Sequence, residues 1–292
     1  MRDALTQFLF EGYAVRGAFV DLHRGVTEML EPRAYAPGVR RIVGEALAAT
    51  PLLASHLKSA ARVSLQYAGD GPLTLLVVQI DDQLQLRGMA KARVGADGEF
   101  AELLSGGRFS VLLEPRHGNT RYEGVVPLVG NRLSEALEGY FLQSEQLPTR
   151  LCLVAGDARL RGLLLQRMPL PPGASTKVED SYWEYLVALF ATLNGAELLA
   201  VEPELLMRRM FHAEPLRVFA PRAIELACHC SRASVSRLLI AMGEAEIRKL
   251  LEERGEVEVS CEFCGRVQRY SPLQVHDLFA AQQARALGAT QH

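Results

Sequence analysis

Apolar side chains recur at helical spacing through residues 40–60 (RRIVGEALAATPLLASHLKSA), which predicts an α-helix. From Ala61 to Tyr67 the pattern changes to alternation, the signature of a strand. The segment AGDGP at 68–72 is turn chemistry, and the apolar run LTLLVVQI at 73–80 predicts the next strand. FSVLLEP at 109–115 and RYEGVVPLV at 121–129 flank HGNT and predict a hairpin. Leu133 to Ser144 is helical in pattern, and Leu151–Ala155 with Leu160–Gln166 predict another strand pair. The run MPLPPGAST at 168–176 holds three prolines and a glycine, which continue neither a helix nor a central strand. A domain boundary is expected there.

Beyond it the pattern is helical. Ser181 and Glu184 have capping-box spacing, and Tyr182, Tyr185, Leu186, Leu189, Phe190 and Leu193 then recur at helical spacing, with Gly195 as the expected stop. Pro203 opens a second expected helix carrying Leu206, Met207, Met210 and Phe211. These faces are strongly apolar for a connector, and the plain expectation is that they dock on the first domain as core. From residue 228 a small domain follows. Ser231 caps a helix to Met242, Gly243 breaks it, and Glu244 to Arg254 forms another that ends at Gly255. EVEVSCEFCGRVQRYS alternates like a hairpin, and a last helix starts near Pro272. The expected class is α+β: a mixed α/β domain at 1–174, a helical linker at 175–227, and a small α+β domain at 228–292.

Composition alters this picture little. Across 292 residues the net charge is −2, 49% of residues are hydrophobic and 23% charged, as in an ordinary soluble protein. That balance gives no reason to expect nucleic acid or an anionic membrane as partner. No apolar run approaches the roughly 18 residues of a membrane span. The opening MRDALTQFLFEG, with Asp3 early, does not read as a signal peptide, so a cytoplasmic location is expected. In that compartment thiols stay reduced, and clustered cysteines point to metal or redox chemistry before structural disulfides.

The cysteines carry the chemistry. CHC at 228–230 and CEFC at 261–264 are separated by 30 residues. Two close pairs of thiolates suit the tetrahedral, sulfur-favouring demand of Zn²⁺, so Cys228, Cys230, Cys261 and Cys264 are the expected ligands of one zinc ion. Cys-x-x-Cys-Gly on a hairpin is a metal knuckle whose glycine permits the tight turn. Side chains two apart share a face only in an extended segment, so CHC must be non-helical, with His229 pointing away from the metal. Each ligand also has a neighbour near enough to become its disulfide partner. A sulfenic acid on one is open to resolution by the next, and forming Cys228–Cys230 and Cys261–Cys264 would expel the metal. A domain this small has little other stability, so losing zinc would unfold it.

Other candidates are weaker. Cys152, in RLCLVAG, reads as a small core thiol. Nucleophile-elbow, Walker and H-E-x-x-H motifs are absent, and the histidines (23, 56, 117, 212, 229, 276, 292) are scattered. No enzyme activity is expected.

Several stretches resemble the 33 kDa heat-shock protein family of redox-regulated holdase chaperones. They are VRG at 15–17, QYAGDGPL at 66–73, LRGMA at 86–90, GYFLQSEQLPTRL at 139–151, RMFHAEPLRVFAP at 209–221, and CHCSR with GEVEVSCEFCGRVQRY. RAYAPGV at 33–39 departs from the family's His-aromatic-Pro pattern, where no functional residue falls. The resemblance implies an ATP-independent chaperone, inactive while reduced and zinc-bound. Oxidation of the four cysteines would release zinc, unfold the C-terminal domain, destabilise the linker, and yield a form that binds unfolding client proteins and dimerises. The freed linker would then offer Tyr182, Trp183, Leu186, Leu189, Phe190, Met207, Met210 and Phe211 as adaptable apolar surface. The alternative is an adaptor whose zinc ribbon is only structural. The cysteine domain carries eight basic and eight acidic residues, which argues against nucleic acid as the adaptor's partner.

Overall fold

The computed structural model describes residues 3–24, 26–31, 33–55, 60–115, 121–170, 175–228 and 230–289. The turn expected at 117–120, residues 171–174 of the expected boundary, and His229 lie outside these. The chain forms two compact units, Met1–Ala227 and Cys228–His292.

The first unit opens with strands β1 (Ala4–Phe10) and β2 (Val15–Leu22), then helix α1 (Pro37–Ala54). Next come β3 (Ala60–Gly69), β4 (Leu73–Asp81), β5 (Gln85–Ala92), the short α2 (Phe100–Leu103), β6 (Gly107–Pro115) and β7 (Tyr122–Val126). Helix α3 (Leu133–Tyr140) runs into a π-helical turn at Phe141–Glu145, followed by β8 (Thr149–Ala155) and β9 (Leu160–Arg167). The helices α4 (Thr176–Ala191), α5 (Gly195–Ala200) and α6 (Pro203–Met210) lead into short strands β10 (Leu216–Val218), β11 (Arg222–Ala223) and β12 (Glu225–Leu226).

These strands build two six-stranded sheets. One runs β10-β1-β2-β9-β8, with β11 also on β1, and the other runs β12-β5-β4-β3-β6-β7. The helix expected at 40–60 is α1, which begins on Pro37 and ends at Ala54. It is buried along most of its length and joins both sheets in one core, where Ile42, Val43 and Leu47 meet Leu65, Val78 and Leu164.

Strands β2 and β9 are buried on both faces, and their alternation sorts side chains between two cores. Ala18, Val20, Leu22, Leu160 and Leu164 face the α1 core. Val15, Phe19, Leu163 and Leu165 join Phe8 and Phe10 of β1 in a second core, closed by Leu186, Phe190, Leu198, Leu206, Met207 and Phe211 of the 175–227 segment. Gly17 is required by that second core. A Cβ there would fall 2.1 Å from Phe8 Cζ, so the buried ring would have to leave its place against Phe10 and Phe211 to admit one. Gly17→Ala should therefore cost about 1–3 kcal/mol, read as a lower urea midpoint with the m-value unchanged.

Two details of the linker differ from expectation. Helix α4 starts at Thr176, so Ser181 and Glu184 sit inside it and do not cap it. Helix α4 ends at Ala191, and Gly195 opens α5 instead of stopping its predecessor. The Asn194 side chain accepts the Glu197 N–H at 2.8 Å and so caps the new helix.

The second unit holds α7 (Arg232–Met242), α8 (Glu244–Arg254), the antiparallel hairpin β13 (Val257–Ser260) and β14 (Val267–Tyr270), and α9 (Pro272–Ala289). The expected caps are present. Ser231 Oγ accepts the Ser234 N–H, and Gly243 and Gly255 take φ of +95° and +78° at the helix junctions. Its core is small: Val235, Leu239, Ile247, Val257, Tyr270, Val275 and Phe279.

Candidate metal centre

Cys228 and Cys230 lie in non-helical chain just before α7, as two ligands on one face require. Cys230 is pinned through its carbonyl, which accepts Gln268 Nε2 at 2.6 Å. Cys261 and Cys264 sit on the turn between β13 and β14. There Gly265 N–H donates to Cys261 O at 2.7 Å and Cys261 N–H donates to Arg266 O at 2.9 Å. Gly265 holds φ at +69°, a conformation that favours glycine and closes the knuckle.

The two segments meet. All four Sγ atoms lie within 4.8 Å of one another, with Cys228 to Cys261 at 3.4 Å and Cys230 to Cys264 at 3.3 Å. Four sulfurs around a tetrahedral ion at about 2.3 Å would stand about 3.8 Å apart, so the cluster has the dimensions of a metal site. Both of these approaches cross between the two sequence pairs.

The thiols do not behave alike. Burial pushes the Cys228 thiol up, and its contact with Cys261 adds to this; burial likewise raises Cys230. Burial also acts to raise Cys261, but N–H groups of Cys264 and Phe263 and the Cys228 thiol stabilise its thiolate, and it falls to about 7. Several adjacent thiolates repel one another, and a bound cation removes that cost. The donor set therefore fits a metal ion, and the four cysteines can hold one.

Cys152 takes no part in this cluster. It lies half-buried on β8 against the second core, and burial raises its thiol to about 11.

The eight linker residues named from sequence are gathered at the second core. Leu186, Phe190, Met207 and Phe211 are buried, while Tyr182, Trp183, Leu189 and Met210 are half-buried at its edge. Tyr182 stacks on Tyr13 with ring centroids 3.4 Å apart, and Phe211 meets Phe10 edge-on at 5.1 Å. In the sheet half of the contact, Phe8, Phe10, Val15 and Phe19 escaped the sequence reading, while Leu163 and Leu165 lie on the strand expected at 160–166. Leu198, fully buried on α5, escaped it too. A signal for β1 was present in the apolar run FLF at 8–10. Docking leaves a cleft of about 1100 Å³ beside α6, walled by Phe8, Phe19, Met207 and Phe211.

No helix among the described residues is long and apolar enough to cross a membrane. A family model described as "Hsp33 protein" matches residues 3–271. A 33 kDa chaperonin of Sodalis glossinidius is 38% identical over 293 residues, covering 98% of this chain and 97% of that protein. A 33 kDa chaperonin of Pseudomonas aeruginosa is 36% identical and covers 99% of both. The crystal structure of the 33 kDa chaperonin of Thermotoga maritima superposes with a TM-score of 0.80 at 21% identity, over 97% of this chain and 99% of that one, and so shares the fold. By motif, sequence and fold together, the chain belongs to the Hsp33 family of chaperones.

Proposed function

We propose that this chain is a cytoplasmic, redox-regulated, ATP-independent holdase that is switched by zinc. The reading rests on one juxtaposition. Four thiols that fit a metal stand in a unit with a thin core, and that unit directly follows a segment whose apolar faces are stored against a sheet. Zn²⁺, when bound to Cys228, Cys230, Cys261 and Cys264, supplies the charge that keeps four thiolates side by side and the cross-links that hold α7 to the hairpin.

Peroxide attacked by one thiolate leaves a sulfenic acid, and the partner cysteine displaces its oxygen as water. Each pair of cysteines gives up two electrons as its disulfide closes, reducing one peroxide to two waters. Closing Cys228–Cys230 and Cys261–Cys264 removes every ligand, and the second unit loses its main stabiliser.

The consequence runs back along the chain. Between α6 and Cys228 the backbone is held by strands of only two or three residues, ending with Ala227 N–H on Leu86 O at 3.1 Å. Such short ladders yield first when the chain beyond them unfolds. The linker helices then lift, and Tyr182, Trp183, Leu186, Leu189, Phe190, Met207, Met210 and Phe211 become surface for unfolding clients. The active form dimerises, as the resemblance implies.

The test treats reduced, zinc-loaded protein with peroxide at mildly raised temperature and follows zinc release and client aggregation together. About one zinc per chain should leave as aggregation is suppressed, and a reductant should withdraw the activity. Zinc that stays, or leaves with no gain in protection, would instead make the centre a structural element of an adaptor. Replacing several of the linker residues by Ser or Gln should leave zinc release intact and abolish client capture.

A further inference from the structure

Arg161 is charged and yet fully buried, on β9 within the apolar face that receives the linker. Two arms of its guanidinium grip Asp21 of β2, Nε to Oδ1 at 3.0 Å and Nη2 to Oδ2 at 2.8 Å. The third, Nη1, donates to Leu198 O at 2.9 Å, to Leu199 O at 3.4 Å and to Val201 O. The ring of Phe19 lies beneath it at 5.5 Å. Arg159 adds a bond to Leu199 O at 3.2 Å and reaches Glu202 at 3.5 Å. The carbonyls taken by the two arginines include the orphan acceptors at the end of α5. A helix of six residues has almost no stability of its own, and here a cation meets the negative end of its dipole.

We propose that Arg161 is an autoinhibitory catch that holds α5, and with it the linker, on the sheet. Its design allows release. Asp21 and Arg161 both belong to the sheet, so their ion pair survives when α5 leaves, and no buried charge is orphaned. Arg161 loses only carbonyl acceptors, and water replaces them at small cost. The apolar contacts around the catch are then uncovered. This inference deepens the switch reading and rests on it for the claim that release activates.

The decisive variant is Arg161→Met, which keeps the length and loses the fork. Asp21 retains Arg159 at 3.4 Å, so its charge stays compensated. Arg161→Lys, which keeps the charge but not the forked geometry, serves as a milder second variant. Amide hydrogen exchange is followed in the reduced, zinc-loaded full-length chain. Residues 195–211 should exchange at least about tenfold faster in R161M and by a smaller factor in R161K, while β2 and β9 stay protected. Unchanged exchange at 195–211 in both variants, or equal acceleration across β2 and β9, overturns the catch. Client protection is measured on the same samples. Faster linker exchange with no earlier onset of protection supports the catch and counts against the switch reading.

Discussion

Chelating zinc from the reduced protein should unfold the second unit while strands β1 to β9 of the two sheets persist. The expectation follows from how little else holds that unit together. In a unit of about 65 residues, the described residues supply a core of seven buried apolar side chains, spread over three helices and one hairpin. Domains of this size are marginal without a staple, and a structural zinc supplies roughly 10–16 kcal/mol. Strands β1 to β9 do not depend on the metal, because the core around α1 supports both sheets whether or not the linker stays docked. Far-ultraviolet circular dichroism should lose the contribution of α7, α8 and α9. Amides of β2 and β9 should remain protected. Cys261→Ser should have the same effect without chelator, since it removes one ligand, the thiol whose thiolate the Cys264 and Phe263 N–H groups stabilise. A second unit that keeps protected amides after its metal is gone would mean that zinc does not control its folding, and the switch would fall.

Those four cysteines were readable from sequence because metal ligands come in short local pairs whose spacing carries the geometry. The helices of the second unit were equally open, since Ser231, Gly243 and Gly255 mark their ends chemically. The linker was harder. Ser181 and Glu184 have the three-residue spacing of a capping box, but the same spacing occurs inside any helix. Gly195 reads as a stop until Asn194 is seen to cap the helix that follows. Strand β2 was missed for a different reason. A strand buried on both faces shows no alternation, so VRGAFVDL lacks the pattern that reveals a half-exposed strand. Arg161 was invisible for a related cause. In RLRG it looks like surface charge, and only the pairing of β2 with β9 sets it beside Asp21.

The apolar half of the linker contact should break as decisively as the metal site. Phe211 is buried between Phe8 and Phe10, with ring centroids at 6.1 and 5.1 Å. Removing such a ring costs about 3–5 kcal/mol, and a carboxylate in its place must be desolvated as well. In Phe211→Asp the cheaper course is for α6 to lift and hydrate the charge, because the cleft beside it already gives water a way in. The reduced variant should therefore suppress client aggregation with zinc still bound and the second unit still folded. Phe211→Leu keeps the apolar contact and should need peroxide as the parent does. Amide exchange separates the possible failures. If residues 203–211 open in Phe211→Asp and clients still aggregate, the linker faces are not the capture surface. If they stay closed, docking is stronger than one aromatic cluster, and release depends on the polar catch at Arg161. Either result divides the linker's hold between its apolar and polar halves, which zinc release alone cannot do because it loosens both together.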